Sequence, residues 1–283
     1  MKNITLFDGA TGTRLWQLAQ QAGLPRESVW KYNLSAPALV EQVAAEYIGA
    51  GSDILCTNTF GANRLAVERE SAYSVEQVIT AAVGIAKKAA AGKNVRVALD
   101  VGPLSVLMEP YGDLTEEEAA EIFTEMMESG VKAGADCIFI ETFMDLEMMR
   151  VAAECAKAQG VSVLCSMTFE KSGRTLMGNR VEDIVETLEP LGIEAVGMNC
   201  SLGPDTALPI LKEYAEHTSL PLIFKPNAGL PSVTADGATV FACACPDFLR
   251  EMEPALSLAS YVGGCCGTDV DYIRGLREMI DKR

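Results

Sequence analysis

Eight short apolar runs recur along the chain, with longer amphipathic stretches between most of them. They cover residues 4–7, 53–56, 95–101, 137–140, 162–169, 195–199, 221–224 and 259–263. Strand-sized segments separated by helix-sized ones point to parallel pairing, because parallel neighbours need a crossover of a dozen or more residues. Eight such units in 283 residues match the ~250 residues of a (β/α)8 barrel. A doubly wound open sheet is the competing layout. A weak internal repeat favours the ring: Ala50-Gly51-Ser52-Asp53-Ile54 parallels Ala133-Gly134-Ala135-Asp136-Cys137, and each copy continues into polar residues and a Phe. The first strand is followed by no Gly-x-Gly-x-x-Gly, and a Walker loop is missing, which weakens a nucleotide-binding sheet. The expectation is one (β/α)8 barrel domain spanning 1–283.

Helix signals fit this frame. Thr115 with Glu118, and Ser74 with Gln77, have the spacing of capping boxes. Asp145 and Asp269 stand where further helices would begin. Residues 229–239 are rich in Pro, Gly and Thr and read as an irregular loop over the barrel mouth. The stretch 14–36 carries no pattern that assigns it.

Composition excludes several functions. The net charge of −16 would repel nucleic acid and anionic membranes. The apolar runs fall far short of the ~20 residues that cross a bilayer. The first nine residues are too short and too soon polar for an export signal, so nine cysteines suggest a reducing cytoplasm rather than a disulfide framework. The single histidine, His217, rules out zinc sites built from two or three histidines. It reads as a surface residue at a helix end.

In a barrel, chemistry collects where strands end. The polar residues following the apolar runs are Asp8 to Thr13, Thr57-Asn58-Thr59, Asp100, Glu141-Thr142, Ser166, Asn199-Cys200, Lys225-Pro226-Asn227 and Cys265-Cys266. Cys200, Cys265 and Cys266 would make a soft thiolate site for zinc with a fourth position open. Burial as small apolar residues is the bland alternative, and it suits Cys137, Cys155 and Cys165. It suits Cys265-Cys266 less well. Adjacent strand residues face opposite ways, so both reach one ion only if the strand has ended, and flanking glycines permit that turn. A redox-active vicinal disulfide is another reading of that pair. Cys243 and Cys245 read as structural. The glycine-bearing turn Gly9-Ala10-Thr11-Gly12 could hold a carboxylate through its N–H groups, or be an ordinary tight turn. Glu141 could receive a substrate ammonium, or pair with a nearby Arg or Lys.

These motifs resemble the zinc-dependent homocysteine S-methyltransferases. Asp-Gly-Ala-Thr-Gly-Thr at 8–13, Thr-Asn-Thr-Phe at 57–60, Glu-Thr at 141–142, Asn-Cys at 199–200, Pro-Asn-Ala-Gly at 226–229 and Gly-Gly-Cys-Cys-Gly at 263–267 stand in that family's order. The resemblance implies a (β/α)8 barrel in which Cys200, Cys265 and Cys266 bind zinc and homocysteine sulfur takes the open position. It implies that Asn227 can fill that position when substrate is absent. Gly9 to Gly12, including Ala10 and Thr11, would hold the carboxylate and Glu141 the ammonium, while Asp8, Thr59 and Asn199 shape the pocket. Pro-Asn-Ala-Gly-Leu-Pro is closest to the homocysteine module of cobalamin-dependent methionine synthase. The methyl group would then come from methylcobalamin on a corrinoid protein, charged from methyl-tetrahydrofolate by a pterin- or folate-binding methyltransferase module. The chain stops after one barrel, so those modules would be separate polypeptides or removed from it. S-methylmethionine and betaine are the alternative donors. A non-catalytic metal-binding partner of a corrinoid protein and a thiol-disulfide enzyme are the competing readings of the site.

Overall fold

The computed structural model describes residues 4–233 and 239–283. Its barrel strands are β1 (Thr5–Leu6), β2 (Ile54–Cys56), β3 (Arg96–Val101), β4 (Cys137–Phe143), β5 (Ser162–Met167), β6 (Ala195–Asn199), β7 (Leu222–Lys225) and β10 (Tyr261–Val262). Two more, β8 (Pro231–Val233) and β9 (Thr239–Phe241), pair antiparallel apart from the barrel. The barrel strands lie side by side in the order β1-β10-β7-β6-β5-β4-β3-β2, with every pair parallel. A parallel bridge from Phe7 to Ile54 closes the seam between β1 and β2, and the Asp53 N–H donates to the Leu6 carbonyl at 2.7 Å. A doubly wound sheet would reverse strand order near its middle. Here the order follows the chain around a ring, so the fold is the (β/α)8 barrel.

Period-two alternation divides each strand between two cores. Phe7, Ile54, Ala98, Cys137, Phe139, Leu164, Ala195 and Ile223 fill the barrel interior. Residues between them face the helices and join a larger outer core. The same parity carries inward the residues two places beyond the plug. Asp100 follows Ala98, Glu141 follows Phe139, Ser166 follows Leu164 and Lys225 follows Ile223. An apolar plug with polar groups at the strands' C-terminal ends results.

The opposite end of the barrel is closed by charge pairing. Arg96 donates to both oxygens of Glu194 at 2.8 and 3.1 Å, and the Tyr261 hydroxyl donates to Glu194 as well. Burial alone would raise the Glu194 pKa, but hydrogen bonds from Arg96, Ser162 and Tyr261 outweigh it and hold the group at about 2.

The helix starts form as their sequences require. Thr115 accepts the Glu118 N–H at 3.2 Å while Glu118 accepts the Thr115 N–H at 3.0 Å, opening the helix Glu116–Lys132. Ser74 and Gln77 do the same for Val75–Ala90, and Asp145 and Asp269 cap the helices after them. The unassigned stretch contains the helix Thr11–Gln21, a 3-10 turn at Val29–Lys31 and the short helix Tyr32–Ser35. The expected irregular loop at 229–239 is instead partly ordered as the β8–β9 pair, and residues 234–238 lie outside the described residues. Among the described residues, no helix is long and apolar enough to cross a membrane.

Candidate metal centre and substrate cavity

Cys200 stands immediately after β6. Its backbone is left-handed (φ 60°), as are Ser201 (φ 56°) and Thr142 (φ 67°) at the end of β4. Each such non-glycine residue costs roughly 1–3 kcal/mol, so the surroundings must enforce it. The Cys200 N–H is held by the Lys225 carbonyl at 3.1 Å, and Thr142 is held by the side chain of Asn199. Its side-chain oxygen accepts the Thr142 N–H at 2.9 Å and the Ser166 hydroxyl at 2.8 Å, and its amide donates to Thr142 Oγ1 at 2.7 Å and Glu141 Oε2 at 3.2 Å.

Cys265 and Cys266 follow β10 in a loop pinned at several points. The Cys265 N–H donates to the Pro226 carbonyl at 2.9 Å, and the Cys265 carbonyl accepts the Thr268 hydroxyl at 2.7 Å. The Cys266 carbonyl accepts the Ala228 N–H at 3.0 Å. Gly267 has φ 84°, and a Cβ there would strike the Phe241 ring at 2.4 Å, so only glycine lets β9 pack on this turn.

The three sulfurs lie within 4.8 Å of one another, with Cys200 and Cys266 4.0 Å apart. Tetrahedral zinc with bonds of ~2.3 Å sets sulfurs ~3.8 Å apart, so small movements would suffice to ligate one ion. All nine cysteines are free thiols. In Cys200 the contact with Cys265 pulls the pKa down, but the contact with Cys266 and burial push it up to about 12. Cys266 reaches about 12 as well: Cys200 lowers it, while the Cys265 contact and charge raise it further. Three protonated thiols crowded together form a set that a dication would ionise. On the neighbouring loop, the side-chain oxygen of Asn227 is buried and has no hydrogen-bond donor. The neighbours of Asn227, Pro226 and Ala228, bond the backbone of Cys265 and Cys266, and an orphaned oxygen on that loop is chemically compatible with a zinc donor set.

The thiols face a cavity of about 370 Å3. Asp8, Gly9, Ala10, Thr11, Gly12 and Glu141 line it together with Cys200, Cys265 and Cys266. Thr59, Asn199 and Asn227 are not among the residues that line it. Thr59 donates to the Asp100 carbonyl at 2.7 Å and braces the end of β3. The glycine turn is tighter than its sequence suggests. The Ala10 N–H donates to the Thr268 carbonyl and the Thr11 N–H to the Gly9 carbonyl, both at 3.0 Å. Gly12 is already helical, so the N–H groups of Gly12 and Thr13, without intrahelical acceptors, remain to face an anion.

Lys225, Asp100 and Cys56 also line the cavity, though sequence reasoning gave them no role. Lys225 is 3 % exposed and rests over the Phe7 and Phe139 rings at 4.6 and 4.8 Å. Its ammonium is 3.5 Å from Asp8 and 3.6 Å from Glu141. Glu141 thus has the lysine partner weighed as its alternative. Burial favours the neutral amine, but Cys56, Glu141 and Asp8 outweigh that and raise the Lys225 pKa. A lone lysine ending the apolar run 221–224 was the available signal, since its parity with Ile223 turns it inward.

Comparisons with known proteins place the chain among relatives. Residues 5–280 match the family described as homocysteine S-methyltransferase. The methionine synthases of Mycobacterium leprae (strain TN) and Mycobacterium tuberculosis (strain ATCC 25618 / H37Rv) are each 29% identical over 96% of this chain, which spans 24% of their length. The metallated form of the homocysteine methyltransferase MmuM from Escherichia coli superposes with a TM-score of 0.80 at 25% identity, covering 98% of this chain and 96% of that one. The chain belongs to the homocysteine S-methyltransferase family.

Proposed function

We propose that this chain, as one barrel domain over 1–283, transfers a methyl group to the sulfur of homocysteine and yields methionine. The observation that carries the reading is the trio of thiols within 4.8 Å at the wall of a cavity large enough for an amino acid. Cys200, Cys265 and Cys266 would hold zinc, and Asn227 would lend its oxygen when substrate is absent. Zinc bound by three thiolates supplies a Lewis acid that keeps a fourth sulfur deprotonated yet nucleophilic at neutral pH.

The chain's own residues bind and orient. The N–H groups of Gly12 and Thr13 receive the substrate carboxylate, and Glu141 receives the ammonium. Asn199 ties Thr142, Glu141 and the Cys265 loop into one unit, so these contacts keep their spacing. In the transfer, the sulfur lone pair forms the new S–C bond while the donor–methyl bond breaks. The donor keeps that bond's electrons, and the thiol proton passes to solvent.

The mouth of the barrel supports a protein-borne donor. Phe60, Leu107, Tyr111, Met144, Leu176 and Leu230 are exposed, and all lie on segments that follow strand C-terminal ends. Apolar side chains gathered around one opening suit a docking protein better than a small soluble donor. The proposed donor is methylcobalamin on a corrinoid protein, recharged by a methyl-tetrahydrofolate-dependent partner, with all components cytoplasmic. Zinc-loaded protein mixed with homocysteine and methylcobalamin should form methionine, read by mass spectrometry. Methionine from S-methylmethionine or betaine alone would overturn the donor assignment. No methionine from any donor would overturn the enzymatic one.

A further inference from the structure

The polar floor of the cavity does not balance its own charge. Asp8, Asp100 and Glu141 are 1 %, 7 % and 9 % exposed, and among the described residues lining the cavity Lys225 is the one cation. Two of the three carboxylates are engaged. Asp8 accepts the Cys56 N–H at 2.7 Å and lies 3.5 Å from Lys225. Glu141 accepts from Asn199 at 3.2 Å and lies 3.6 Å from Lys225. Asp100 differs, because its Oδ1 is buried and no group donates to it. Its backbone is nonetheless held firmly. The Asp100 N–H donates to Thr57 Oγ1 at 3.1 Å, and its carbonyl accepts the Thr59 hydroxyl at 2.7 Å. A fixed, buried carboxylate oxygen without a donor leaves about 1–3 kcal/mol of hydrogen bonding unrealised.

An ammonium presents three donors, and Glu141 alone cannot meet them all. Asp100 and Glu141 are inward-facing residues near the ends of the adjacent strands β3 and β4. We propose that Asp100 is a second acceptor for the substrate ammonium, which makes the floor of the cavity selective for thiols that carry an amino group. Lys225 is the positioning residue. By neutralising Asp8 and part of Glu141, it leaves Asp100 as the site for an incoming cation. Burial, with Glu141 next, raises the Asp100 pKa against the opposing pull of Lys225.

This inference rests on the proposed homocysteine reading, and one experiment separates the two. Calorimetric titration of the zinc-loaded protein compares homocysteine with 4-mercaptobutanoate, the same molecule without its amino group. Wild type should bind homocysteine more tightly by roughly 10–100-fold, the worth of a hydrogen bond to a charged group. Asp100→Asn should narrow that preference by weakening homocysteine while leaving 4-mercaptobutanoate unchanged, with Glu141 retaining the remainder. Zinc content and far-UV dichroism report whether the variant is folded, and Asp100→Ser replaces it if it is not. Equal losses for both thiols, or no loss for either, would overturn the role of Asp100. Failure of wild type to bind either thiol would instead overturn the homocysteine reading.

Discussion

The two ends of the barrel are built from the same strands and treat charge in opposite ways. Below the apolar plug, Arg96, Glu194 and Tyr261 satisfy one another, and the carboxylate is held at about 2. Above it, two of three carboxylates share one lysine, three thiols crowd together, and oxygens of Asp100 and Asn227 lack donors. The lower end is complete as it stands. The upper end would be completed by the metal and substrate proposed for it. In a marginally stable fold, unsatisfied buried groups persist where a ligand uses them.

Breaking the thiol trio of the upper end should abolish chemistry and spare the fold. Cys265→Ser should lower methyl transfer by at least about 100-fold, and zinc by elemental analysis should fall from one per chain to near none. Retained zinc with full activity would remove the thiol trio from the site. Lys225→Met should weaken both properties. It leaves three carboxylates facing one another, and a stability loss of about 3 kcal/mol is expected from urea unfolding. At the lower end, Glu194→Gln should cost roughly 1–2 kcal/mol with turnover unchanged. That contribution has a defined pH window. Because the folded pKa is depressed, the stabilisation is fully present above the unfolded value of about 4.3 and is lost as pH falls toward about 2. Wild type and Glu194→Gln should therefore converge in thermal midpoint between pH 4 and 2. The smallest effect is expected away from both ends, where Thr115→Ala should cost about 1 kcal/mol by removing one cap.

Much of this architecture was legible because it rests on local periods. Each of the eight apolar runs overlaps one barrel strand, β6 matches its run residue for residue, and β4 and β7 extend past the ends of theirs. The helix starts at Glu116 and Val75 were written in side chains three positions apart. The helix Thr11–Gln21 was not, because Ala10 offers no capping side chain, its first turn has no acidic residue and a glycine sits at its second position. The thiol trio could be assembled because adjacent cysteines after a strand constrain their own geometry. Lys225 and Asp8 are 217 residues apart, and no short-range pattern relates them. Their pairing exists only once the ring closes. The β8–β9 pair was hidden by a segment whose Pro and Gly content argues against strands.

The left-handed backbone at Thr142, Cys200 and Ser201 bears on how the protein would change under selection. A population challenged with heat alone gains most readily where the chain is held against its preference, and those positions adjoin the thiols. Variants that relax them should melt later and turn over more slowly. Laboratory evolution for robustness would thus be expected to erode this corner before it touched any helix.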